Sequence, residues 1–155
     1  MVKIIYDSRR VTGTTKNFAV NLGKATGLEV MYVKDVPNDF KEDFILCTYT
    51  AGVGEVPVTT KEFLTKFGET MKAVVANGSS NFKAKGLFGV AGDRISNEYG
   101  VELLHKLDIG GTAEDVKYVA RRVNFIFGIN TEIEKNLKSM VKSTFKDGVF
   151  KLQRY

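Results

Sequence analysis

The chain has 155 residues and a mass of 17.2 kDa, with 43% hydrophobic and 26% charged residues, proportions of one folded domain rather than of a disordered or membrane-embedded chain. One cysteine, Cys47, excludes an internal disulfide and a Cys-rich metal site, and with His105 the only histidine the composition argues against a metal centre or a His-based triad, while the net charge of +5 suits an anionic ligand or an acidic partner surface. No apolar run reaches the roughly 18 residues of a membrane span and the opening MVKIIYDSRR lacks a secretory apolar stretch, so a cytoplasmic location without membrane association is expected.

Short β-branched and apolar runs alternate with longer amphipathic ones, the pattern of parallel strands joined by crossover helices. A first strand is expected over 2–6 and a helix over 15–24, with a polar loop between them. That loop combines the hydroxyls of Ser8, Thr12, Thr14 and Thr15, the charge of Arg9 or Arg10, and Gly13 for a tight turn. Backbone N–H groups and the helix dipole at such a junction favour a phosphate, although a plain polar loop capping a helix uses the same residues. The loop fits neither GxGxxG nor GxxxxGK[ST], which argues against a dinucleotide or a nucleoside triphosphate.

A second strand is expected over 29–33 and a third over 44–50, the latter buried on both faces with Cys47 as an inert core residue. The loop after it holds Thr48, Tyr49, Thr50, Ala51, Gly52 and Gly54. Tyr49 offers a ring for stacking, and the glycines allow a planar ligand close to the backbone. They also permit a peptide flip, through which a backbone carbonyl would accept a hydrogen bond from a ring N–H of a ligand that gains a proton on reduction. A glycine-softened turn is the simpler account of the same residues.

A helix over 60–67, opened by Thr59 and Glu62 as a capping box, leads to a fourth strand over 71–76. The next loop carries Asn77, Gly78, Asn81, Phe82, Phe88 and Asp93. Phe82 is expected against an edge or face of a ring system, and Phe88 either there or in the core. A helix over 89–99, a strand over 101–107 with His105 at its surface, and a helix over 113–125 capped by Thr112 and Asp115 follow. Thr131 with Glu134 opens a last helix, with Ile133, Leu137, Met140, Val141 and Phe145 on one face and Lys135, Lys138, Lys142 and Lys146 on the other. With Pro37 and Pro57 the only prolines and no Gly-rich linker, no domain boundary is evident.

Together these residues resemble the NrdI family, the flavodoxin-like activators of class Ib ribonucleotide reductase. The resemblance is carried by Thr12-Gly13-Thr14-Thr15, by Thr48-Tyr49-Thr50 leading to Gly54-x-Val56-Pro57, by Gly78-x-x-Asn81-Phe82, and by Ala91-Gly92-Asp93-x-Ile95-Ser96. A last stretch from Val101 through Leu107-Asp108-Ile109-x-Gly111-Thr112 to Asp115-Val116 matches the final strand and helix start. The first loop has two more residues between Ser8 and Thr12 than the usual spacing, and the third is about two longer after Phe82.

The resemblance implies an α/β fold, a flavodoxin-like three-layer α/β/α sandwich with a five-stranded parallel sheet of order 2-1-3-4-5 and an extra C-terminal helix. Residues 1–123 would form the FMN-binding domain and 124–155 a basic helical extension packed on it. Ser8, Arg9, Thr12, Gly13, Thr14 and Thr15 would meet the phosphate. Thr48, Tyr49, Thr50, Ala51, Gly52 and Gly54 would lie at the flavin edge, and Asn77, Gly78, Asn81, Phe82, Phe88 and Asp93 in the facing loop. The flavin, not a side chain, would be the reactive group. It would take electrons from a reductase and reduce dioxygen to superoxide or a peroxide-level oxidant. That oxidant would generate the tyrosyl radical at the dimanganese site of the small subunit. Two alternatives stand beside this: an electron-transfer flavodoxin, against which the basic composition argues, and a cofactor-free module using the basic tail on an acidic protein or, as the least favoured partner, nucleic acid.

Overall fold

Alternation of apolar side chains along the strands builds two cores, one on each face of a sheet. The computed structural model describes residues 1–129. On β3 (Phe44–Tyr49), Ile45 and Cys47 point to one side, where they join Ile4, Phe18, Leu22, Val119 and Val123; Phe44 and Leu46 point to the other, with Ile5, Phe63, Leu64 and Ile95. A strand buried on both faces belongs inside a sheet covered by helices. β3 is bordered by β1 (Lys3–Tyr6) and β4 (Met71–Gly78), while β2 (Val30–Tyr32) and β5 (Glu102–Asp108) form the edges, giving the order β2-β1-β3-β4-β5 with every neighbouring pair parallel.

Helices α1 (Thr14–Thr26) and α4 (Ala113–Phe127) cover one face, and α2 (Val58–Phe67) and α3 (Val90–Tyr99) the other. The expected three-layer α/β/α architecture and strand order are therefore present. Phe44 is fully buried and meets Phe40 and Phe63 edge-on, a burial that contributes about 2–3 kcal/mol.

Two expectations change in detail. β4 runs two residues further than the apolar pattern indicated, because Asn77 and Gly78 continue the ladder opposite Leu107 and Asp108 of β5. The capping box at Thr59 and Glu62 is not formed: α2 already begins at Val58, and Thr59 and Thr60 both turn their hydroxyls onto the Asp7 carboxylate at the end of β1. A buried carboxylate beside the first turn of a helix complements its dipole, although Asp7 takes hydroxyls there and, among the described residues, no backbone N–H. The box at Thr112 and Asp115 does form, in both directions. α4 passes through position 123 to Phe127; the helix expected from Thr131 and its lysine stripe lie outside the described residues. Among the described residues no helix is long and apolar enough to cross a membrane.

Candidate functional site

In an open parallel sheet, the carboxyl ends of strands flank a crevice where the strand order reverses, here between β1 and its neighbour β3. A cavity of about 380 Å³ lies there, of the size that holds a small organic ligand. Its walls come from four connections. Arg9 and Thr12 belong to the loop after β1 and Thr14 and Thr15 to the first turn of α1; Tyr49 ends β3, and Thr50, Gly52 and Gly54 lie in the loop after it; Gly78, Ser79, Phe82 and Leu87, with Asn77, belong to the end of β4 and its loop; and Ile109 follows β5.

The first loop turns into α1 through Gly13, which sits in the left-handed region at φ 61° and supplies no side-chain cap. Ser8 takes that task from a distance, its Oγ accepting the Lys16 N–H at 3.2 Å, and so faces the helix rather than the cavity wall. Gly13 N–H donates to the Arg9 carbonyl. Among the described residues no acceptor meets the N–H groups of Thr14 and Thr15, which stand at the positive end of α1 beside their own hydroxyls.

Asn77 ties this loop to the one after β5. Its Nδ2 donates to Thr14 Oγ1 (3.0 Å) and Thr15 Oγ1 (2.9 Å), while its Oδ1 accepts the Gly110 N–H (2.7 Å). Ile109, whose N–H donates to the Gly78 carbonyl at 2.8 Å, is held at φ 47°. A β-branched residue is rarely found there, and here it presents its side chain to the cavity.

In the second loop, Ala51 and Glu55 exchange two backbone hydrogen bonds of 2.7 Å and close a tight turn whose Gly52 and Gly54 have φ 47° and 72°. A Cβ on Gly54 would lie 2.6 Å from Val90 Cγ1 and 2.8 Å from Leu87 Cδ2, so this glycine lets the second and third loops touch; one on Gly52 would meet nothing within 4 Å. The Arg9 guanidinium covers the Tyr49 ring at 5.2 Å. Burial and the nearby Asp7 charge push the Tyr49 phenol above its ordinary value, with Arg9 opposing, so the ring is neutral at physiological pH. Beneath it Asp7, 2% exposed, takes the hydroxyls of Thr59 and Thr60 (2.7 Å for Thr60), and Thr48 is buried with its Oγ1 3.0 Å from Thr60 Oγ1. Thr50, on the wall, keeps a buried Oγ1 with no partner among the described residues.

In the third loop Phe82 is 41% exposed at the cavity mouth and Leu87 lines the wall. Phe88 turns aside: its carbonyl accepts Lys106 Nζ at 3.0 Å and its ring faces Lys83. Asp93 pairs with the same Lys106 at 2.6 Å, and the Asn81 N–H donates to Ser79 Oγ. These three hold the loop rather than line the cavity.

Eleven of the residues expected at a cofactor thus share one wall: Arg9, Thr12, Thr14, Thr15, Tyr49, Thr50, Gly52, Gly54, Asn77, Gly78 and Phe82. Ser8, Gly13, Thr48, Ala51, Asn81, Phe88 and Asp93 support it from behind or beside. Ser79, Leu87 and Ile109 are additional. For Ile109 a signal was present, since Gly110-Gly111 after a strand marks a turn at the carboxyl edge of the sheet.

The chain matches the family described as "NrdI Flavodoxin like" over residues 4–121. It is 39% identical over 122 residues to Protein NrdI of Deinococcus radiodurans, covering 78% of this chain and 82% of that one, and 30% identical over 130 residues to the SPbeta prophage-derived protein NrdI of Bacillus subtilis, covering 84% and 97%. Among solved structures it resembles a short-chain flavodoxin associated with a non-canonical PDU bacterial microcompartment (TM-score 0.62, 14% identity, 78% of this chain and 93% of that one). It also resembles a Fusobacterium nucleatum flavodoxin bound to flavin mononucleotide (TM-score 0.57, 17% identity, 82% and 96%). At such identities these two bear on the fold alone, but the sequence match spans most of the chain, and the chain belongs to the NrdI family of flavodoxin-like proteins.

Proposed function

We propose that the cavity binds FMN and that the chain, supplied with electrons by a reductase, activates the dimanganese small subunit of a class Ib ribonucleotide reductase by reducing dioxygen to superoxide or a peroxide-level oxidant. The observation that carries the FMN reading is the pairing of two chemistries in one cavity. At one end, the N–H groups of Thr14 and Thr15, with no acceptor among the described residues, stand with their hydroxyls at the positive end of α1, which suits a phosphate dianion. At the other, Tyr49, Phe82 and Leu87 stand around two glycine-exposed stretches of backbone, which suits a flat heterocycle, and the Thr50 hydroxyl, without a partner among the described residues, is a donor or acceptor for its polar edge.

Bound there, FMN would supply one- and two-electron transfer, including transfer to dioxygen. The protein residues hold and tune it. Thr14 and Thr15 would fix the phosphate, and Tyr49, uncharged, would offer a ring face without adding negative charge. The Gly52–Val53 peptide, with open space beside Gly52, would turn either a carbonyl or an N–H toward the ring edge. Arg9, Arg10, Lys83 and Lys85 are exposed in the loops around the mouth, and their charge suits an acidic docking surface on the partner.

The test is to reduce the FMN-loaded protein without oxygen, admit air in the presence of a superoxide trap, and repeat with the metal-loaded small subunit. Fast reoxidation, trapped superoxide and tyrosyl radical in the subunit support the proposal. A long-lived reduced form that passes electrons only to other proteins would make this an electron-transfer flavodoxin.

A further inference from the structure

We infer that Asn77 is a positioning residue that sets the direction of the hydroxyl hydrogens of Thr14 and Thr15, and thereby gives the cavity its preference for a ligand bearing a phosphate. The inference rests on the FMN reading above and adds to it the residue that selects for the phosphate.

The orientation of the Asn77 amide follows from its surroundings. The Gly110 backbone N–H can only donate, and it lies 2.7 Å from Asn77, so the oxygen of the amide must face it. The –NH2 group then faces Thr14 Oγ1 and Thr15 Oγ1 and spends both of its hydrogens there. Asn77 is 4% exposed and Thr15 1%, so water does not compete for the bond to Thr15, while the bond to Thr14 is part-buried. Each threonine oxygen accepts from Asn77, which commits its own hydrogen to some other acceptor. Among the described residues neither hydroxyl has one, and both residues line the cavity. The hydrogens are therefore available to an anion beside the free N–H groups of the same two residues. A backbone N–H in the loop after β5 thus dictates the polarity of donors in the first turn of α1. Loss of that polarity would leave the same oxygens in place with the wrong end presented.

Asn77→Asp tests this with little change of shape. An aspartate still accepts from Gly110 N–H, but toward Thr14 and Thr15 it can only accept, so both hydroxyls reverse and the phosphate loses two donors; it also adds a charge that repels the phosphate, which the uncharged Asn77→Ser separates from the loss of donors. Affinities are read by quenching of flavin fluorescence for FMN and for riboflavin, which lacks the phosphate. Two hydrogen bonds to a charged group, lost together, predict a fall in FMN affinity of about 100-fold or more, with riboflavin affinity changed by less than about 3-fold. Asn77→Ser, which removes the –NH2 donors without adding charge, should lower the ratio of FMN to riboflavin affinity in the same direction and by less. It carries the test should Asn77→Asp fail to give the parental circular dichroism spectrum. An unchanged ratio in the folded variants overturns the inference, as does an equal loss for both ligands. A parent protein that binds neither flavin, or both equally, would overturn the FMN reading itself.

Discussion

Gly52 and Gly54 lie two residues apart in one turn, both with positive φ, yet their surroundings differ and so do the expected effects of a methyl group. Alanine in the left-handed region costs about 1–2 kcal/mol, a penalty common to both positions. At Gly52 nothing lies within 4 Å of the new Cβ, so the cost ends there. At Gly54 the methyl would sit 2.6 Å from Val90 Cγ1 and 2.8 Å from Leu87 Cδ2, and relieving that overlap adds about 1–3 kcal/mol or moves the third loop away from the second. Leu87 is part of the cavity wall, so Gly54→Ala should lower both the urea midpoint and FMN affinity, whereas Gly52→Ala should lower stability by the smaller amount and leave most of the affinity. Both are read by urea unfolding of the apoprotein and by fluorescence titration with FMN. Equal effects of the two substitutions, on either readout, would refute the assignment of Gly54 to the contact between the loops.

Further outcomes follow from buried and strained groups elsewhere. Burial pushes the Asp115 carboxyl up, but hydrogen bonds from His105 and from Thr112 outweigh it and hold the group below its ordinary 3.8. A carboxyl held down in the folded state contributes stability above its unfolded value and loses it as the pH falls through the folded one. The stability deficit of Asp115→Asn should therefore narrow below about pH 4, and urea midpoints showing a constant deficit from about pH 3 to about pH 7 would contradict this. Burial alone raises the Cys47 thiol to about 12, so an aromatic disulfide reagent at mildly alkaline pH should leave the native protein unmodified and label one thiol after denaturation; stoichiometric labelling of the native chain would contradict its place in the core. Ile109→Gly removes a strain of about 1 kcal/mol and a similar amount of unfolded-state restriction, so the urea midpoint should barely move while FMN affinity falls with the lost wall. A midpoint change matching a loss above about 2 kcal/mol would refute the strain.

How much of this was legible depends on whether the deciding interaction is local. Runs such as Phe44 to Cys47 and Met71 to Ala76 announce central strands because both faces are apolar, and the four helices follow from spacing and glycine stops. Thr59 was misplaced as a cap because the acceptor of its hydroxyl, Asp7, lies 52 residues away and no local pattern reveals it. Phe88 and Leu87 are equally apolar neighbours, and which one faces the cavity goes with contacts distant in sequence, such as Lys106 of β5 on the Phe88 carbonyl and Gly54 against Leu87. Asn77 stood out as a polar residue at a strand end, but that its amide is spent on three protein groups depends on loops brought together by three different strands. Ile109 carries no polar or aromatic signal, and its exposure to the cavity arises from the backbone turn forced by its neighbours.

The central claim is that the cavity holds FMN by its phosphate, and equilibrium titration of the flavin-free protein with FMN and with riboflavin tests it most directly. The account predicts saturable binding of one FMN per chain, with quenching of its fluorescence and a clear preference over riboflavin. No binding of FMN at concentrations up to about 100 µM, which corresponds to less than about 5.5 kcal/mol of affinity, would contradict it.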